Sequence, residues 1–307
     1  MLVRRILTTL AVLAGATTGC SPTRGDARQV GAEQLARQTL LEAPDHFFTS
    51  NGVSIRYRVI GEGDPMLLLH GYTDRLEMWA GTADSLARDF RVIVPDLRGS
   101  GLSTKFGGPE QYGRKMVDDL VGLMDHLWIR EVHVVGYSMG AAIAANMALD
   151  HSARVLTATF VAGPFYTDSA AAARLFEPYA VAQERGEGLT SFFQWILPTW
   201  SDSAIADVVP QLEATNDSAS LVASLRALPA LMLNPVRVSQ ATKPALAIVS
   251  VKDPLWPTSR FLAQRWPGIR LVELPKGDHA DIFLAPELVT EVRKLVMQPS
   301  GPRARGH

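Results

Sequence analysis

One cysteine, Cys20, occurs in 307 residues. A single thiol excludes a disulfide framework. The seven histidines are scattered and there is no CxxC or HExxH spacing, so neither a metal nor another cofactor is expected. Charge of either sign is not in excess: 30 Lys and Arg against 31 Asp and Glu leave a net charge of −1, with no block of like charges. Without a basic patch, a nucleic-acid partner is not expected. There is no internal repeat. The apolar run at 6–16 is about half the length a bilayer-spanning helix needs, which argues against a transmembrane segment. What the chain does have is a large apolar content, 47% against 20% charged, enough for a sizeable core in one large domain or two ordinary ones.

The N-terminus carries Arg4 and Arg5, the apolar run at 6–16, and Thr17-Thr18-Gly19-Cys20. A positive start, a short apolar stretch and small residues read as a secretory signal over 1–19. The tail of this segment resembles the box of bacterial lipoprotein signals. That resemblance implies cleavage before Cys20, lipid on its sulfur and amine, and an exported protein held in the bacterial cell envelope, on its periplasmic or surface face. The alternative is an ordinary signal peptide with an incidental cysteine. Residues 20–45 are polar with scattered Gly, Pro and Arg, and read as the lipidated Cys and a flexible tether with a short helix near 33–41. Residues 299–307 read as a disordered tail.

The folded part starts with a hairpin. Runs at 47–50 and 53–60 flank Asn51-Gly52, whose residues tolerate positive φ, and alternation through Val53, Ile55, Tyr57 and Val59 leaves one wet face. Unbroken apolar strands then alternate with helical stretches: strands at 66–69, 92–95, 132–135, 155–162, 245–251 and 269–274, and helices at 78–89, 110–127 and 286–297. This is the pattern of an α/β fold with a mostly parallel central sheet covered by helices on both faces. About 80 residues separate the strands at 155–162 and 245–251, far more than an ordinary connection. The reading is a core of 46–163 and 243–298 with a mainly helical cap inserted at 164–242. Eight of the chain's 23 aromatics fall in its first half: Phe165, Tyr166, Phe176, Tyr179, Phe192, Phe193, Trp195 and Trp200. Most should pack the insert, with one or two facing a ligand.

Everything is organised around Glu131–Asn146. A short apolar strand runs into Gly136-Tyr137-Ser138-Met139-Gly140, and a run of helix formers follows at once. Strand, G-x-S-x-G and helix in succession describe a nucleophile elbow rather than a structural turn serine. Gly136 and Gly140 let strand and helix approach, and Ser138 is left on the tip of a strained turn.

A serine hydroxyl needs a base at neutral pH. His279, in a loop just after a strand, should reach the same sheet edge as Ser138. His126 and His151 sit near helix C-termini, His133 is inside a strand, and His46 and His307 fall in mobile segments. His70 should brace its own loop. The orienting acid should also follow a strand, and Asp253 does; Asp278 and Asp281 are rivals only by adjacency. Asp118 and Asp119 should decorate a helix, and Asp96 should tie down the 97–103 loop. The oxyanion needs two donors: the Met139 backbone N–H, next after the nucleophile, and the Tyr72 backbone N–H in the loop after the strand at 66–69.

His70-Gly71, Asp96-Leu97-Arg98-Gly99-Ser100-Gly101, the Ser138 elbow, Asp253 and the 277–279 loop follow the order seen in the α/β-hydrolase superfamily, which the chain resembles from about 47 to 297. The Ser…Asp…His order is the one that fold uses. The resemblance implies the α/β-hydrolase fold, with the insert as a cap that shapes the substrate pocket. Two departures stand out: Gly277-Asp278-His279 where many members have Gly-His directly, and no HGGG run. Epoxide and haloalkane hydrolases of this fold carry an aspartate at the elbow, where this chain has Ser138. The expectation is a serine hydrolase that cleaves a small carboxylic ester, lactone or thioester through an acyl-enzyme, with a small-molecule ester-type substrate and the membrane, through Cys20, as its partners. Amide and carbon–carbon hydrolysis use the same triad. The alternatives are a non-catalytic small-ligand binding module or receptor on this fold, and a structural envelope lipoprotein.

Overall fold

A computed structural model describes residues 38–50, 52–164 and 168–297. The signal at 1–19, Cys20, most of the tether, Phe165, Tyr166 and the tail at 299–307 lie outside the described residues. The elements run β1 (His46–Ser50), β2 (Val53–Ile60), β3 (Asp64–Leu69), α1 (Ala80–Leu86), β4 (Phe90–Pro95), α2 (Arg114–His126), β5 (Val132–Tyr137), α3 (Met139–Asp150) and β6 (Val155–Val161). Five helices follow: α4 (Ser169–Glu184), α5 (Thr190–Ile196), α6 (Asp202–Thr215), α7 (Ser218–Ala227) and α8 (Pro235–Ser239). The chain closes with β7 (Ala245–Ser250), α9 (Trp256–Ala263), β8 (Arg270–Leu274) and α10 (Glu287–Val296).

The eight strands form one sheet in the order β1-β2-β4-β3-β5-β6-β7-β8. β1 pairs antiparallel with β2, β2 antiparallel with β4, and the remaining pairs are parallel. Side chains alternate across a strand, so each buried strand feeds two cores. Leu67 and Leu69 join the core under α2 and α3, which continues into the five inserted helices. Met66 and Leu68 join the opposite core with Trp79, Leu86 and Val292. Burial on both faces is why these strands read as continuous apolar runs.

Several boundaries differ from the sequence reading. The helix expected at 110–127 begins as a short 3₁₀ turn, Pro109–Gln111, and restarts at Arg114 after Gly113 takes φ +63°. The helix expected at 78–89 is a 3₁₀ turn, Leu76–Trp79, followed by the shorter α1. The flexible tether expected to run to 45 ends sooner. Leu40 and Ala43 are buried in the second core, and Leu40 N–H donates to Asp84 Oδ1 at 2.7 Å. The described part of the short helix expected near 33–41 is a turn held by Glu42. His46 is not in a mobile segment: it lies in β1 with its ring stacked on Tyr57, centroids 5.4 Å apart.

Candidate active site

β5 ends at Tyr137 and α3 begins at Met139, so Ser138 alone makes the turn. It sits at φ +53°, ψ −113°. Such a conformation in a residue with a Cβ costs about 1–3 kcal/mol and persists because the surroundings over-determine it. Here Ser138 N–H donates to Val161 O at 2.9 Å, and Ser138 O accepts from Ala141 N–H at 2.9 Å. Neither flanking glycine can carry a side chain: a Cβ on Gly136 would lie 2.1 Å from Gly140 O, and one on Gly140 would lie 2.3 Å from Leu69 O.

The structure brings three of the expected residues into series. Ser138 Oγ is 2.9 Å from His279 Nε2, and His279 Nδ1 is 2.9 Å from Asp253 Oδ2. Asp253 and His279 are 3% and 4% exposed, so this chain of bonds is shielded from water. The other Asp253 oxygen accepts from Leu255 N–H at 2.8 Å, which fixes the carboxylate plane. A carboxylate at Nδ1 holds the proton on that nitrogen and leaves the Nε2 lone pair facing the serine. The histidine loop is itself pinned, because Ser250 Oγ donates to Gly277 O at 2.5 Å.

The rival acid Asp278 points elsewhere. Its Oδ2 accepts from Thr199 Oγ1, between α5 and α6, and its Oδ1 accepts from Ala280 N–H at 3.3 Å. The residue inserted between Gly277 and His279 thus ties the histidine loop to the inserted helices. Asp96 holds its loop as expected, accepting from Leu76 N–H and Leu102 N–H, each at 2.8 Å. Asp119 does more than decorate α2: Arg98 grips it with two bonds of 2.6 Å. His70 is fully buried and accepts from Leu97 N–H at Nε2 (2.9 Å), so its Nδ1 carries the proton given to Gly71 O at 2.8 Å. Burial holds its pKa below the ordinary value.

The two expected oxyanion residues flank the serine. Met139 is the first residue of α3, where an amide has no partner within the helix and the helix dipole is positive. Tyr72 lies in the loop after β3 and lines the same cavity as Ser138 and His279. That loop is anchored from the insert: Gln183 Nε2 donates to Tyr72 Oη at 2.7 Å, Tyr72 Oη donates to Leu221 O at 3.3 Å, and Asn216 Nδ2 donates to Thr73 O at 2.9 Å.

Of the insert's described aromatics, Phe192, Phe193 and Trp200 line the cavity, three where one or two were expected to face a ligand. Phe176, Tyr179 and Trp195 pack among the helices instead. Sequence reasoning missed Tyr137 and Asp74. The Tyr137 ring lies beside His279, and Asp74 lines the cavity two residues after Tyr72. A polar residue in a loop that follows a buried strand was the available signal for Asp74. Among the described residues no group of three or more His, Cys, Asp or Glu is arranged to hold a metal ion, and no helix is long and apolar enough to cross a membrane.

The sequence profile of one family, described as the alpha/beta hydrolase fold, matches residues 64–186. A fluoroacetate dehalogenase from Burkholderia sp. is 40% identical over 109 residues, 34% of this chain and 36% of that protein. A soluble epoxide hydrolase from Corynebacterium sp. (strain C12) is 36% identical over 111 residues, 36% of this chain and 38% of that protein. The matched stretches thus span little more than a third of either relative. The crystal structure of the enol-lactonase from Burkholderia xenovorans LB400 superposes with a TM-score of 0.70 at 26% identity, covering 82% of this chain and 100% of that one. The architecture is the α/β-hydrolase fold, an eight-stranded, mostly parallel sheet with flanking helices and a helical insert.

Proposed function

We propose that the protein is a serine hydrolase of the α/β-hydrolase superfamily that cleaves a small carboxylic ester, lactone or thioester through an acyl-enzyme. The observation that carries this reading is the unbroken series Ser138 Oγ, His279, Asp253, with both links at 2.9 Å. Ser138 attacks the carbonyl carbon while His279 Nε2 takes its proton. Asp253 holds the imidazole in place and stabilises the imidazolium as it forms. The Met139 and Tyr72 backbone N–H groups meet the oxygen of the tetrahedral intermediate. His279 then returns the proton to the leaving oxygen or sulfur, and water repeats the sequence to free the acid and regenerate the serine hydroxyl. A dehalogenase or epoxide-opening reaction, as named for two of the relatives, is disfavoured by the serine at the elbow: attack by Ser138 Oγ on an alkyl carbon would leave an ether, which water does not cleave readily, where a carboxylate nucleophile would leave an ester.

The test has two parts. A fluorophosphonate should label Ser138, and p-nitrophenyl esters of graded length, together with a panel of lactones, should be turned over by the wild type and not by folded Ser138→Ala. Normal turnover by the purified mutant would overturn the mechanism. Absence of both labelling and turnover would favour a binding module on this fold.

A further inference from the structure

The cavity in front of Ser138 holds about 470 Å³. Phe192, Phe193, Trp200 and Phe283 supply much of its apolar wall. Its charged lining is one-sided. Among the described residues that line it there are two carboxyl side chains, Asp74 and Glu77, and no lysine or arginine.

The two acids differ in their surroundings. Glu77 is matched by cations outside the cavity: Oε1 accepts from Arg56 Nη2 at 2.8 Å, and Oε2 lies 3.4 Å from Arg75 Nε. The Asp74 carboxyl has no hydrogen bond or ion pair among the described residues. Its position is nevertheless defined. A Cβ on Gly71 would lie 3.0 Å from Asp74 Oδ2 and 2.9 Å from the Tyr137 ring, so carboxyl and ring share the space that a bare glycine leaves open. The Asp74 carboxyl and the Tyr137 ring thus converge on Gly71, and that ring lies beside His279. Burial raises its pKa to about 7, with His279 pulling the other way.

A substrate bearing a second carboxylate would bring a like charge into a largely apolar cavity with no cation to receive it, and such a pair is repulsive where water is scarce. We propose that this site selects esters or lactones with uncharged acyl chains and rejects those carrying a free carboxylate, with Asp74 as the specificity-determining side chain. The inference rests on Ser138 being the nucleophile.

The experiment compares two phosphonofluoridates of equal chain length, one ending in methyl and one in carboxylate, at pH 8.5. In the labelling step Ser138 Oγ forms a bond to phosphorus, fluoride leaves, and the hydroxyl proton passes to His279. Second-order constants are read by intact-protein mass spectrometry and normalised to each probe's own hydrolysis. In the native protein the methyl probe should label at least about 30-fold faster. In Asp74→Asn the ratio should fall about tenfold. Asp74→Ser serves the same comparison if the amide variant does not fold. A native ratio near one, or a ratio unmoved in both variants, would overturn the proposal. Failure of both probes to label Ser138 would instead overturn the serine reading beneath it.

Discussion

The Tyr137 ring lies with its centroid 5.1 Å from that of His279, and its hydroxyl donates to the His279 backbone carbonyl at 3.3 Å. Tyr137 immediately precedes Ser138 in the chain, so a residue at the end of β5 also backs the imidazole. Phe283 closes the other side at 4.7 Å. Tyr137→Phe keeps the ring and loses one bond. It should lower kcat a few-fold, whereas Tyr137→Ala should lower it by about 100-fold through misplacement of the imidazole. Steady-state kinetics on a p-nitrophenyl ester, with circular dichroism to establish folding, checks both.

Asp253 and Asp278 are both fully or nearly fully buried beside the same loop, yet only Asp253 reaches Nδ1. Asp253→Asn should lower kcat by about 10⁴, because the amide favours the wrong imidazole tautomer. Asp278→Asn should cost less than about tenfold, since it alters only the contact with Thr199. The reverse ranking would show that the orienting acid is Asp278.

Gln183 comes from α4 and supports Tyr72 from 111 positions away in sequence. Gln183→Leu leaves the buried Tyr72 hydroxyl with the weaker Leu221 contact alone. A loss of about 1–2 kcal/mol in stability is expected, together with a fall in kcat/KM as the oxyanion loop loosens. Urea denaturation and kinetics measure the two. An effect on stability with none on kcat/KM would mean that the contact serves the fold only.

His70 and Asp74 give opposite pH dependences. Burial depresses the pKa of His70, so the unfolded chain takes up a proton near pH 6.5 that the folded chain refuses. Its stabilising contribution is therefore full above that pH and is lost as pH falls. The Asp74 carboxyl is raised to about 7, so its contribution is full below the unfolded value near 4 and is lost as pH rises through 7. Each appears as a difference in slope between wild type and variant in urea melts at pH 5 to 8.5. His70→Asn should lose the acid-side decline, up to about 1.4 kcal/mol per pH unit. Asp74→Asn should gain about 1–2 kcal/mol over wild type at pH 8.5, less than the full shift implies because the Asp74 side chain is only part-buried.

We propose lipidation at Cys20: expression in a bacterium with labelled palmitate should give a lipidated product, and Cys20→Ala should lose both label and membrane association. Label retained in the variant would show that Cys20 is not the attachment point.

The sheet was legible because burial on both faces writes itself as unbroken apolar runs, and the elbow because close approach admits only glycine at 136 and 140. The wiring of Ser138, His279 and Asp253 was legible from strand order, since loops after parallel strands gather at one edge. The bonds of Gln183 to Tyr72, Asn216 to Thr73 and Thr199 to Asp278 were not. They join residues 79 to 143 positions apart and leave no local pattern. The role of Asp119 in α2 was hidden in a similar way: its partner Arg98 lies in the loop after β4. The break in the helix before Arg114 could have been read from Gly113 following Pro109.

Among the bonds that tie the inserted helices to the rest of the molecule, one set reaches Tyr72 and Thr73 in the loop after β3 and another reaches Asp278 beside His279. A swing of those helices wide enough to admit a bulky guest would have to release both handholds. One handhold bears on the loop that carries Tyr72, and the other on the loop that carries His279. An opening of that kind would leave both loops without their braces until the helices closed again.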